Sequence, residues 1–75
     1  MAYPSFVHGD YLYLQDANNV LYKVEISTGS VSKDTSELAT FLKNKRVKSY
    51  FVDSSSIFIG TMANGLFEKP LTDLL

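Results

Sequence analysis

The sequence predicts an all-β chain: nearly two four-stranded antiparallel blades of the β-propeller kind, in the order A-B-C-D, a short helix, then A-B-C. Three observations predict it. A shift of 45 residues aligns two segments without a gap. The strand-like runs in each copy are apolar on both faces, and turn-forming residues separate these runs at regular spacing.

The first copy runs from Ser5 to Tyr22 and the second from Tyr50 to Phe67. Phe6/Phe51, Val7/Val52, Asn19/Asn64 and Leu21/Leu66 are identical pairs. Leu12/Ile57, Tyr13/Phe58, Leu14/Ile59, Tyr22/Phe67 and Ile26/Leu71 keep apolar or aromatic character. The match follows side-chain class at positions that pack, which is what a structural repeat preserves.

Strand A is expected over residues 4–8 and again over 47–53. His8-Gly9-Asp10 and Asp53-Ser54-Ser55-Ser56 close these strands, since such residues supply turn conformations and local side-chain hydrogen bonds. Strand B follows at once as Tyr11-Leu12-Tyr13-Leu14 and Ile57-Phe58-Ile59. Both are aromatic or aliphatic without alternation, so the sheet is expected to be covered on both sides. A blade between two neighbouring blades meets that condition, whereas a two-layer sandwich leaves one face of each sheet wet. The next hairpins turn at Ala17-Asn18-Asn19 and Ala63-Asn64-Gly65, where Asn and Gly tolerate positive φ. Strand C covers 20–26 and 66–71, with Pro70 restricting pairing to one side. Ser27-Thr28-Gly29-Ser30 then leads into a polar strand D near Val31-Ser32-Lys33.

Between the copies the residues predict a short helix, with Asp34 or Thr35 as N-cap, Glu37 in the first turn, and Leu38, Phe41 and Leu42 on one face. The basic residues Lys43, Lys45, Arg46 and Lys48 are expected around its last turn, where they suit the helix dipole. The division is therefore blade one over 1–33, a helical insertion over 34–45, and an incomplete blade two over 46–75. The sequence ends where a second strand D is due. Two incomplete blades cannot close a ring of roughly four to eight. The expected partners are therefore the remaining blades of a larger propeller or further copies of the same chain, joined by blade faces or edges.

Seventy-five residues can bury only a marginal core, and they bound the chain to one domain. There is no cysteine, which removes thiol catalysis, disulfides and thiolate zinc sites. Seven basic residues against eight acidic ones leave no electrostatic footprint for nucleic acid or an anionic membrane. No stretch approaches the roughly 20 apolar residues of a membrane span. Met1-Ala2-Tyr3-Pro4 lacks the basic-then-apolar order of a secretory leader.

Catalytic groups are equally sparse. His8 is the single histidine and sits in a turn. The carboxylates of Asp10, Asp16, Asp34, Glu37 and Asp53 fall in turns and at the helix start, where capping accounts for them. Asp16 with Asn18 and Asn19 offers oxygens to calcium but lacks the rest of a calcium loop. Ser54-Ser55-Ser56 has no nucleophile-elbow pattern, and no glycine-rich phosphate loop is present. No catalytic residue, metal site or cofactor is expected. Among the aromatic residues, Tyr11, Tyr13, Tyr22, Phe58 and Phe67 read as blade packing. Tyr3 and Tyr11, at strand starts near the open faces, are the candidates for stacking on a ligand.

The run Ser56 to Phe67 resembles the repeat of two-component regulator propellers. Phe58 stands at the usual tryptophan place, Gly60-Thr61 is the Gly-Thr pair, Asn64 lies in the turn, and Gly65-Leu66-Phe67 is the closing element. Copy one departs from the pattern with Gln15-Asp16 and Val20, and its Leu21 to Gly29 run resembles quinoprotein-like blades. The two-component resemblance implies a non-catalytic segment of a bacterial extracytoplasmic sensor, hence a periplasmic location for the parent protein, with a carbohydrate as the implied ligand and signal transduction as the role. Two alternatives stand beside it: blades of another propeller class, either a quinoprotein-like enzyme or a protein-interaction scaffold, and a small self-assembling protein.

Overall fold

The computed structural model describes residues 4–74. Seven strands form two antiparallel sheets in chain order. The first holds β1 (Ser5–His8), β2 (Tyr11–Gln15), β3 (Leu21–Glu25) and β4 (Val31–Lys33). The second holds β5 (Val47–Val52), β6 (Ser56–Thr61) and β7 (Leu66–Pro70), and helix α1 (Glu37–Leu42) lies between the two in sequence. The chain is all-β and blade-like, in the strand order the repeat predicts. Within each sheet every strand pairs with its sequence neighbour, because the connections inside a sheet are short turns.

Turn chemistry explains the hairpins residue by residue. Gly9 between β1 and β2 adopts φ +60°, a conformation glycine reaches without a Cβ clash. The matching turn of copy two is held by side-chain bonding instead: Asp53 Oδ1 accepts the N–H groups of Ser55 (3.0 Å) and Ser56 (2.8 Å). Those two bonds keep the Asp53 carboxyl below its ordinary range.

The helix starts and stops differently from expectation. Ser36, not Asp34 or Thr35, is the N-cap, with extended backbone and an Oγ that accepts the Ala39 N–H at 3.4 Å. Asp34 is occupied otherwise, accepting a hydrogen bond from the Ser36 hydroxyl. No basic residue lies in the last turn, because the helix ends at Leu42 and Lys43 is the C-cap. Lys45, beyond the end, reaches back to the Phe41 carbonyl at 3.0 Å. Leu38 and Leu42 are fully buried, while Phe41 is half-buried and packs on the core. After β7 the chain forms one 3-10 turn, Leu71–Leu74, which buries Leu74.

Each sheet buries one face rather than two. In sheet one the covered face carries Phe6, Tyr13, Gln15 and Leu21; in sheet two it carries Ile57 and Ile59, with Tyr50, Val52 and Phe67 packed beside them. Strands β1 and β5 meet across the junction, where the Phe6 ring lies 4.9 Å from Tyr13 and 4.7 Å from Tyr50. The opposite faces are open: Val7 and Val31 on sheet one, Phe51 and Leu66 on sheet two, are each more than half exposed.

The repeat now acquires a direction. Phe6, Tyr13 and Leu21 are buried, while their equivalents Phe51, Phe58 and Leu66 are exposed or half-exposed. Ile57 and Ile59 are buried, while their equivalents Leu12 and Leu14 are only half-covered. Val52 packs against the core and Val7 does not. The two sheets therefore meet front to back, with opposite faces of the repeat turned to the junction, and not through one common face.

Candidate functional site

Gln15 is the centre of the junction, and it is the residue at which copy one departs from the Gly-Thr pattern. Its side chain is fully buried at the end of β2. Nε2 donates to the carbonyls of Lys45 (2.8 Å) and Leu42 (3.1 Å), with a longer contact to Asn19 (3.3 Å). Oε1 accepts the Val47 N–H at 3.1 Å. One amide thus satisfies the end of α1, the start of β5 and its own hairpin, as a buried polar group must be satisfied. Arg46 supports the same corner, its guanidinium donating to the carbonyls of Asp16 (3.0 Å) and Ala17. Composition and periodicity gave no hint of this, although a glutamine in an otherwise apolar strand is a signal that buried bonding is present.

The hairpin beside it is built twice with different parts. The Asp16 N–H donates to the Val20 carbonyl and the Thr61 N–H to that of Gly65, both at 3.0 Å, a correspondence of 45 residues. Asp16 Oδ1 accepts the N–H groups of Asn18 (2.8 Å) and Val20 (3.0 Å). The Val20 bond is the main reason the exposed carboxyl sits below its ordinary range. Thr61 does the equivalent work with its hydroxyl, accepting the Asn64 N–H at 2.9 Å and donating to the Gly65 carbonyl at 2.7 Å. Positive φ falls on Asn19 (65°) in copy one and on Gly65 (86°) in copy two, one step apart. The identical Asn19/Asn64 pair therefore does not share a conformation. Asp16 Oδ1 and the Thr61 hydroxyl are thus engaged within their own turns, and among the described residues no group of three or more His, Cys, Asp or Glu converges to hold a metal ion.

The remaining signature residues serve packing and pairing. Phe58 is half-buried on the open face of sheet two, 6.1 Å from Phe51. Gly60 faces the irregular pairing between Val47 and Ser49, and a Cβ on it would stand 3.0 Å from the Ser49 hydroxyl. Leu66 is 73% exposed, whereas Phe67 packs edge-on against Phe41 at 5.1 Å. Lys45 and Lys69 lie over the other parts of that aromatic pair, 4.1 Å and 4.5 Å from the Phe41 centroid.

Of the two ligand candidates, Tyr3 lies outside the described residues. Tyr11 is half-buried against the core, tilted on Tyr13 at 6.2 Å, and its ring face is taken by the Lys23 ammonium at 5.1 Å. Among the described residues, the charged group set against Tyr11 is that Lys23 ammonium. Burial and the nearby Asp34 carboxylate push the Tyr13 hydroxyl up, and burial does the same more strongly to Tyr50. The Tyr50 hydroxyl is buried without a partner among the described residues.

A concave surface does exist, at a place the sequence did not single out. A groove of about 360 Å³ lies between β3, β4 and α1, lined by Val20, Leu21, Lys33, Asp34, Thr35, Ala39, Thr40 and Lys43. Lys33, Thr35, Thr40 and Lys43 are exposed, while Leu21, Ala39 and Asp34 are buried. It offers hydroxyls and ammonium groups over a base of Leu21, Ala39 and the Asp34 carboxylate, which is itself bonded to the Ser36 hydroxyl. No helix among the described residues is long and apolar enough to cross a membrane. No protein-family model, curated protein or solved structure matches this chain.

Proposed function

We propose that the chain is a pair of β-propeller blades acting as a non-catalytic segment of a bacterial extracytoplasmic sensor of the two-component type, in which it binds a carbohydrate ligand. The observation that carries the reading is the front-to-back stacking of the two sheets, with Phe6, Tyr13 and Leu21 covered and Phe51, Phe58 and Leu66 open. Radial repetition of blades produces that asymmetry, because every sheet shows one face to the blade before it and the other to the blade after. A sandwich of two related sheets would bury equivalent residues in both. The Gly60-Thr61 and Gly65-Leu66-Phe67 resemblance supplies the sensor class.

The groove supplies the binding surface. Its volume of about 360 Å³ falls within the roughly 300–1,000 Å³ of small-molecule sites. Thr35, Thr40, Lys33 and Lys43 present donors and acceptors suited to a hydroxyl-rich ligand, and the two ammonium groups favour acidic sugars. The test is amide chemical-shift mapping of the labelled chain with neutral and uronic-acid oligosaccharides. Shifts confined to the groove, abolished by Thr40→Tyr, are expected. Spectra unchanged at millimolar sugar would overturn the binding role.

A further inference from the structure

We infer that the two open sheet faces are complementary to each other, so that a second copy of this chain stacks its first sheet on the second sheet of the first, repeating the front-to-back order of the internal junction. The inference rests on the blade reading proposed above. It starts from the residues that junction uses. The sheet residues of the core are Phe6, Tyr13 and Leu21 from sheet one and Val52, Ile57, Ile59 and Phe67 from sheet two, and Leu38, Ala39 and Leu42 of α1 and Leu74 complete the same cluster. Moving each set by 45 residues gives the surfaces left open. The first set becomes Phe51, Phe58 and Leu66 on sheet two. The second becomes Val7, Leu12, Leu14 and Tyr22 on sheet one.

The register confirms that each new set lies on a single face. Phe51 pairs directly with Phe58, and Leu66 lies across from Gly60 two residues along β6. On sheet one Val7, Leu12, Val24 and Val31 form one cross-strand row, and Leu14 and Tyr22 another on the same side. The two faces thus repeat the apolar residue classes that the two sheets contribute to the internal junction. Their charged members oppose in sign: Glu68 shares the row of Phe51 and Phe58, and Lys33 shares the row of Leu14 and Tyr22. Phe51, Leu66, Val7 and Val31 stand 66%, 73%, 56% and 63% exposed in the single chain, a large apolar area to leave in water.

Such a contact is heterologous, since different patches meet, and a rotation that closes makes a ring. With two sheets per chain, and roughly four to eight blades in a propeller, the ring holds two to four chains. A two-fold dimer through like faces would instead bury Phe51 against its own copy.

The experiment is light scattering on the full chain at micromolar concentration, with variants that block one face each. The parent is expected as a single species of two to four chains. Val7→Asp and Leu66→Asp should each be monomeric, with unchanged circular dichroism, and an equimolar mixture should form a dimer containing one of each. Val31→Asp with Phe51→Asp is the second pair, should either of the first lose its fold. A monomeric parent, a Val7→Asp chain that still associates with itself, or a mixture that stays monomeric would each overturn the inference. A chain that binds oligosaccharide yet remains monomeric removes the stacking and leaves the binding role. One that assembles and binds no sugar does the reverse.

Discussion

Gln15 shows how one side chain can hold two sheets in register. It places an amide where four backbone groups from three segments converge, at 2.8–3.3 Å. Replacing it by leucine keeps the volume but strips the Val47 N–H and the Lys45 carbonyl of their bonds to this side chain, while the Leu42 carbonyl keeps the Lys45 N–H at 3.0 Å. A buried group left unsatisfied costs about 1–3 kcal/mol. Gln15→Leu should therefore lower unfolding stability by about 3 kcal/mol, read as a shift in the urea midpoint of circular dichroism. Gln15→Glu should be at least as damaging, because it points a carboxylate at carbonyl oxygens. Nothing in the repeat marks position 15 as special, since its equivalent is Gly60 and the two share no chemistry. The role of Gln15 arises from α1, which inserts between the copies and brings Leu42, Lys45 and Val47 to one corner.

At the scale of elements, the hairpins separate what the residue pattern conveys from what it hides. Strand existence and order were legible because aromatic and β-branched runs alternate with Asn, Gly, Asp and Ser. Which turn residue takes the left-handed conformation was not, since Asn19 and Gly65 occupy neighbouring places in the aligned copies. The helix cap was missed for a similar reason. Asp34, Thr35 and Ser36 are all good caps, and only Asp34's bond to Ser36 shows which one remains free to cap. The two glycines of copy two should respond differently to a methyl group. Gly65→Ala places a Cβ at φ +86°, which costs about 1–2 kcal/mol. Gly60→Ala meets only the exposed Ser49 hydroxyl, which can rotate away, and it relieves the roughly 0.5–1 kcal/mol that glycine costs in a strand. Thermal melts should show a clear loss for the first and a change near zero for the second.

At the scale of the whole molecule, equivalent residues carry unequal loads. Leu21 is buried and Leu66 is 73% exposed, though the alignment treats them as one position. In dilute, monomeric chain, Leu21→Ala should cost about 2–5 kcal/mol and Leu66→Ala less than about 0.5 kcal/mol, measured by denaturant unfolding. Apolar runs on both strand faces were read from the sequence as two covered faces. The single chain covers one face of each sheet, because the side chains specify what a blade can bury and only its neighbours decide what is buried. The groove was invisible for a related reason: it forms where β4 passes α1, and its lysines and threonines have no spacing that marks them as neighbours.

The pairing of sequence neighbours throughout each sheet bears on how quickly the fold is reached. Each hairpin closes a loop of only a few residues, so the entropy lost before the first contacts reward it is small. Contacts of that local kind favour fast folding for an all-β protein. The long-range step is the docking of one finished sheet on the other, through Phe6, Tyr50 and the Gln15 corner. If that docking sets the barrier, changes at the junction should slow folding while changes in the outer strands should mainly speed unfolding, a split that the two arms of a denaturant chevron would read.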